Sequence, residues 1–437
     1  MSTNQQLQQR REQAMARGMP SQLAVYVARA ANAELWDVEG RRYIDFGTGI
    51  AVLNTGHLHP GVQAAVRDQL DRFSHTCFMV TPYESAVTLA EKLNALAPGK
   101  TPKKTLFVTT GAEAVENAVK IAKVHTGRTG VISFGGSFHG RTLLAMGLTG
   151  KTAPYKTGFG PFPAEIHHAP FPIAYHGITV SDALAGLERL FAEDIEPARV
   201  AAIIVEPVQG EGGFYIAPPE FLTALRALCD QHGIVLIADE IQTGFGRTGR
   251  MFAMEHSGVE PDLMTVAKSL AGGFPLAGVI GKAAIMDAPA PGGLGGTYAA
   301  SPIGCAAGLA VLEAMEKEQL PARATQIGGL ITARLRALAA KFNGIGDVRG
   351  LGAMVAMELV KDGKADLPDA DLTRDLVQGA ARNGLVLLSC GRHKNVVRFL
   401  VALTASDALV GEGLDILEQT LGELRIPTPA VKRKRQA

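Results

Sequence analysis

The sequence predicts a mixed α/β protein built on a mainly parallel sheet, with a smaller α+β unit beside it. Three observations carry that prediction. Short, continuously apolar runs recur through the middle of the chain: residues 105–109 (TLFVT), Gly130–Phe134 (GVISF), Val200–Val205 (VAAIIV), 234–238 (IVLIA) and 263–267 (LMTVA). Segments of helical spacing lie between them, and fully apolar strands alternating with helices indicate a parallel sheet covered on both faces. The 437 residues also exceed what one core usually supports, which argues for a second domain.

Each element has its own signal. Across residues 112–125, Val115, Ala118, Val119 and Ala122 share one helical face, whereas Glu113, Glu116 and Lys120 lie elsewhere. Residues 221–232 read as another helix. Near the start, WDVEGRRYIDF (36–46) has the pattern of a hairpin turning at Glu39-Gly40. Beyond residue 325 the pattern changes. Residues 348–359 and 386–403 read as strands of the smaller unit, and 406–424 as a closing helix with Ser406 at its N-cap. The expected division is an N-terminal segment, 1–60, contributing to a small domain, a large α/β domain, 61–325, and a C-terminal small domain, 326–437.

Composition removes several function classes. Lys plus Arg number 43 against 42 for Asp plus Glu, a balance that argues against a nucleic-acid or membrane-surface binder. The one basic run, Lys432-Arg433-Lys434-Arg435, reads as a solvated terminus. Cys77, Cys229, Cys305 and Cys390 lie far apart with no CxxC pair, so no disulfide framework or metal site is expected. No apolar run reaches the ~18 residues of a membrane span, and the first residues lack the apolar core of a secretory signal. A cytoplasmic protein is expected.

Ligands of a parallel sheet bind outside the carboxyl ends of its strands, so the polar residues there indicate function. Thr110-Gly111-Ala112 follows the first run and opens a helix, whose free amides make an anion site. The second run is followed by GGSFHGR (135–141), the third by Glu206-Pro207 and then Gln209–Gly213 (QGEGG). The fourth ends in Asp239-Glu240 with Gln242 just beyond, and the fifth ends in Lys268. A carboxylate at a buried strand end needs a cation or donor beside it, and a lysine there loses hydration and becomes a better nucleophile. Lys268, Asp239 and an anion cradle are the parts a pyridoxal phosphate site requires. A plain buried Asp239–Lys268 ion pair is the alternative, and the pair by itself leaves both open. GFGRTG (244–249) matches the dinucleotide fingerprint only superficially. Four residues separate it from its strand, the segment after it is a poor helix, and the next strand ends in lysine rather than an acid.

The stretches AVLNTGHLHP (51–60), SHTCF (74–78), ENAVKIA (116–122), EPVQGEGGF (206–214), LIADEIQTGFGRTG (236–249) and GGLGGTYAASP (292–302) carry a resemblance covering about residues 20–425. In these, the chain resembles the class III (subgroup II) pyridoxal-phosphate-dependent aminotransferases of fold type I, the aspartate-aminotransferase-like fold. Within that class it is most similar to the bacterial enzymes acting on 4-aminobutyrate. The resemblance implies a ping-pong exchange through a Lys268 aldimine, from 4-aminobutyrate to 2-oxoglutarate, giving succinate semialdehyde and glutamate. It implies that Asp239 pairs with the pyridinium nitrogen and that Gly111 and Ala112 cradle the phosphate. Thr297 is expected to reach the phosphate of a neighbouring subunit, which makes the protein a homodimer or a dimer of dimers. Phe138 is expected to stack on the ring with His139 beside it, and Gln242 to contact the phenolic oxygen.

For substrate, Arg141 is implied as the partner of the carboxylate of 4-aminobutyrate, and Arg398 as the partner of the α-carboxylate of glutamate. Glu211 is implied to cover Arg398 when a substrate lacks that group, and Ile50 to pack on the methylenes. Three positions depart from the family pattern: Ala112 where Ser is usual, Phe138 where Tyr is usual, and Met79 where Gln is frequent. The closest alternative amine is 5-aminovalerate, since one methylene costs a pocket only ~1–3 kcal/mol. Ornithine and acetylornithine are weaker alternatives. From other classes, a non-catalytic cofactor-binding regulator would need a DNA-binding domain, and only about twenty residues precede the resembling region. An inert structural protein would leave Lys268 as one half of an ion pair.

Overall fold

A computed structural model describes residues 2–424; the basic run at 432–435 lies outside them. At the centre is a seven-stranded sheet. Across the sheet its strands run Lys103–Val108, Ala277–Lys282, Leu263–Val266, Val235–Asp239, Val200–Val205, Gly130–Phe134 and Ile166–Ala169. The five central and edge strands from Leu263–Val266 to Ile166–Ala169 pair in parallel. Ala277–Lys282 pairs antiparallel with both its neighbours. The runs Gly130–Phe134 and Val200–Val205 are buried at every position, as continuous apolarity requires of a strand covered on both faces.

Two elements differ from the expectation. Residues 386–403 are not one strand but fall into the short strands Leu385–Val386, Leu388–Cys390 and Val396–Phe399. Residues 348–359 are not one strand but a hairpin of Ile345–Leu351 and Met354–Leu359. Gly352 makes the turn at φ +55°, where a Cβ would lie 2.3 Å from the Thr248 carbonyl carbon, so only glycine fits.

The helix Gly111–Thr126 starts one residue earlier than its apolar pattern suggests, because Thr110 and Glu113 form a reciprocal capping box. The closing helix, Asp407–Glu423, is capped by Ser406, whose hydroxyl accepts from the Leu409 amide. The hairpin near the start is present as Glu34–Asp37 paired with Arg42–Asp45. Arg42–Asp45 in turn pairs in parallel with Leu385–Val386, so the two ends of the chain share a four-stranded sheet. Another four-stranded sheet carries Val396–Phe399, with Arg398 opposite Ala356. Among the described residues no helix is long and apolar enough to cross a membrane, and no cluster of His, Cys, Asp and Glu could hold a metal.

Candidate active site

The carboxyl ends of the parallel strands open into a cavity of about 460 Å³. An apolar run buries itself in the sheet and leaves the next polar residue at the rim, which is why strand after strand contributes to this one place. Gly111 and Ala112 come from beyond Lys103–Val108, and Phe138, His139 and Arg141 from beyond Gly130–Phe134. Glu211 follows Val200–Val205, Asp239 ends its own strand with Gln242 just beyond, and Lys268 follows Leu263–Val266.

Asp239 is fixed from three sides. Its Oδ2 lies 2.7 Å from His139 Nδ1, and its Oδ1 accepts from the Thr265 hydroxyl at 2.9 Å and the Ile241 amide at 3.2 Å. Thr265 is its register partner on the adjacent strand. A carboxylate has about four acceptor positions, so this one retains capacity for a further donor.

Lys268 differs in having no hydrogen-bond or ion-pair partner among the described residues. It holds a left-handed backbone, φ 48°, a conformation side-chain-bearing residues adopt only when their surroundings impose it. Burial pulls its ammonium down to about 8, against the opposing pull of Glu211. Its free amine is therefore more accessible near neutral pH than that of a solvated lysine.

The substrate side of the cavity is built on guanidiniums. Arg398 is buried, and its Nη1 donates to Glu211 Oε1. Burial opposes the charge on Glu211, but Arg398, Lys268 and Lys151 together outweigh burial and hold the carboxyl below the usual carboxylate range. Arg141 lies over the Tyr155 ring at 4.9 Å and the Phe138 ring at 5.9 Å, which orients it while leaving its planar donors free. Tyr155 donates to Glu211 Oε2 at 3.4 Å and packs on Phe138 with ring centroids 5.0 Å apart.

Two expected residues lie outside this group. Thr297 sits on an exposed loop and does not line the cavity. Ile50 is 43% exposed, and Val52 rather than Ile50 reaches the cavity wall. Ile50 lies in a left-handed turn in which Thr48, Gly49, Ile50 and Ala51 have φ of 44°, 62°, 66° and 60°. Three side chains impose it: Asp45 accepts from the Gly47 and Thr48 amides, Thr48 donates to the Leu400 carbonyl, and Ser269 donates to the Ala51 carbonyl.

Sequence reasoning passed over two residues here. Glu206 was visible at a strand end but had no role; it accepts from the Phe138 and Gly210 amides, both at 3.0 Å, and burial pushes it up to about 7. Tyr155 lies in a loop between Leu148 and Ile166 with no periodicity to announce it.

The class-III aminotransferase family model matches residues 14–421. The chain belongs to the class III aminotransferases. It is 58% identical over 422 residues to a 5-aminovalerate aminotransferase of Pseudomonas putida, covering 97% of this chain and 99% of that one. It is 55% identical over 425 residues to the 4-aminobutyrate aminotransferase of Escherichia coli, covering 97% of this chain and all 100% of the other. Among solved structures it is similar to a pyridoxal-phosphate-bound amine transaminase from an uncultivated Pseudomonas species, with TM-score 0.86 and 30% identity over 94% of this chain and 98% of that one. It is likewise similar to the ornithine aminotransferase of Toxoplasma gondii, with TM-score 0.85 and 28% identity over 97% of this chain and 95% of the other. The protein is thus an aminotransferase of fold type I whose cofactor is pyridoxal phosphate.

The cavity fits that cofactor on its own terms. His139 Nε2 and Gln242 Oε1 are buried there without a hydrogen-bond partner, and an unpaired buried polar atom costs about 1–3 kcal/mol. At the helix start, the Glu113 carboxylate takes the Thr109 and Thr110 amides, leaving those of Gly111 and Ala112 as the donors at the cavity. Loss of the serine hydroxyl at Ala112 leaves this backbone cradle intact.

Proposed function

We propose that this aminotransferase moves the amino group of 4-aminobutyrate to 2-oxoglutarate, giving succinate semialdehyde and glutamate. The observation that carries this reading is the Glu211–Arg398 pair beside a free Arg141. A substrate with one carboxylate needs one guanidinium, and an unpaired second guanidinium would be a buried charge left alone. Glu211 supplies that missing charge for the amine. In the second half-reaction the extra carboxylate of 2-oxoglutarate takes its place, so one site serves both substrates.

Pyridoxal phosphate, when bound, supplies an electrophilic carbon for amines and a ring able to take up electron density. The chain does the rest. The Lys268 amine would hold the cofactor and would serve as the base that moves the proton of the substrate carbon bearing nitrogen. Asp239, oriented by His139 and Thr265, would keep the ring nitrogen protonated. Gly111 and Ala112 would hold the phosphate, Phe138 would stack on the ring with His139 beside it, and Gln242 would serve its phenolic oxygen. Arg141 takes the distal carboxylate, Ile50 borders the methylenes, and Thr297 serves a neighbouring subunit's phosphate in a homodimer. We assign residues 1–60 and 326–437 to the small domain, 61–325 to the large one, and the enzyme to the cytoplasm.

The 58% identical relative that acts on 5-aminovalerate favours a second reading, in which the five-carbon amine is preferred. Mixing the holoenzyme separately with 4-aminobutyrate, 5-aminovalerate, ornithine and acetylornithine decides between them. The expected result is rapid loss of the cofactor's yellow colour with 4-aminobutyrate. Faster loss with 5-aminovalerate would favour the second reading, and no change with either ω-amine would reject both.

A further inference from the structure

When a second carboxylate takes Arg398, the Glu211 carboxylate has to go elsewhere, and its surroundings offer one direction. On the side towards the cofactor it would meet the incoming carboxylate. On the other side lies a second cavity of about 550 Å³, and Glu211 forms part of the wall of both. Tyr155, Lys151 and Cys390 also line this second space.

Lys151 is the notable group there. It is half-buried, and the one hydrogen bond its ammonium makes among the described residues is to the Gly391 carbonyl, at 2.7 Å. Gly391 also donates its amide to the Glu211 carbonyl at 3.0 Å, so one residue ties down both the lysine and the backbone of the glutamate. An ammonium has three donors, so two of Lys151's are left over. Its Nζ lies 6.0 Å from the centre of the Tyr155 ring, whose hydroxyl already donates to Glu211. Burial lowers the pKa of Lys151 and the Glu211 charge raises it again, so the two already sense each other.

We propose that Lys151 is the positioning residue that receives the Glu211 carboxylate when a dicarboxylate substrate occupies Arg398. This rests on the functional reading above, in which glutamate and 2-oxoglutarate displace Glu211. Lys151 does not touch substrate; it makes the displaced state of Glu211 a paired charge rather than a buried lone one. The enzyme's second half-reaction depends on that state and its first does not.

The test compares Lys151→Met and Lys151→Arg with the wild-type holoenzyme. Binding of glutarate, an unreactive dicarboxylate, and of pentanoate, its one-carboxylate analogue, is measured by calorimetry. Loss of a charged hydrogen bond predicts roughly tenfold weaker glutarate binding in Lys151→Met with pentanoate affected much less, and recovery in Lys151→Arg. The Michaelis constant for 2-oxoglutarate should rise in parallel. A crystal structure with glutarate should show the Glu211 carboxylate turned into the second cavity against Lys151. Equal weakening of both ligands would mark Lys151 as merely structural, and an unaltered glutarate affinity would remove its role; either result overturns the proposal. Failure of the functional reading is separate and visible in the wild type, as glutarate binding no more tightly than pentanoate.

Discussion

Arg247 and Arg398 are both buried guanidiniums, 0% and 4% exposed, yet their partners are of opposite kinds. Among the described residues Arg247 has no carboxylate partner. Its Nε donates to Asn54 Oδ1 at 3.0 Å, and its Nη1 donates to the Val401 carbonyl at 2.6 Å and the Ala353 carbonyl at 3.3 Å. Arg398 donates to a side chain that can rotate, Glu211, and its Nε is buried without a partner. Acceptors fixed in the backbone make a guanidinium into a rivet between the turns after Asp239 and the strands near Arg398. A removable acceptor and a spare donor make the other into a binding group. Lys268, with no partner among the described residues, completes the series.

Substitutions test whether that distinction holds. Arg247→Met strands three buried acceptors and should cost about 3 kcal/mol or more of folding stability, read by chemical denaturation. Both half-reactions should fall together; a stable variant with a selective defect against dicarboxylates would erase the contrast. Arg398→Lys keeps a charge beside Glu211 but loses two-point recognition. It should weaken the 2-oxoglutarate half-reaction about tenfold, measured as kcat/KM, with the 4-aminobutyrate half much less affected. Glu211→Gln sharpens the same point from the other side. It leaves Arg398 without its countercharge when a one-carboxylate amine binds, and should slow that half roughly fivefold while sparing glutamate.

A separate prediction concerns Lys268 and pH. Its free amine is the reactive form, and burial places its pKa at about 8. Loading of cofactor-stripped protein with pyridoxal phosphate should therefore speed up as pH rises and level off above about 8. Below that it should slow by roughly tenfold per pH unit. A rate that climbs steadily to pH 10 would mean that the ammonium is as well solvated as a surface lysine.

Asp239 and Lys268 were legible because each ends an apolar run, and a strand's burial pattern makes its last residue stand out. The capping box of Thr110 and Glu113 is just as local, yet apolar spacing alone did not show it and placed the helix start one residue late. Arg247 was not legible, because its acceptors are backbone carbonyls and an asparagine 193 positions away. Tyr155 and Lys151 lie in a loop whose course is set by what it packs on. The turn at Thr48–Ala51 runs against its own sequence: threonine, isoleucine and alanine all disfavour a left-handed backbone, and only contacts from Asp45, Leu400 and Ser269 impose it.

That turn bears on how a new substrate range could arise in this scaffold. Residue 50 lies two positions before Val52, which lines the cavity, on a backbone that its present β-branched side chain opposes. Replacing it with asparagine or glycine would reshape the pocket and relieve the backbone in one step. Variants selected for altered chain length at this position would therefore gain robustness as a by-product, where a pocket mutation ordinarily spends it.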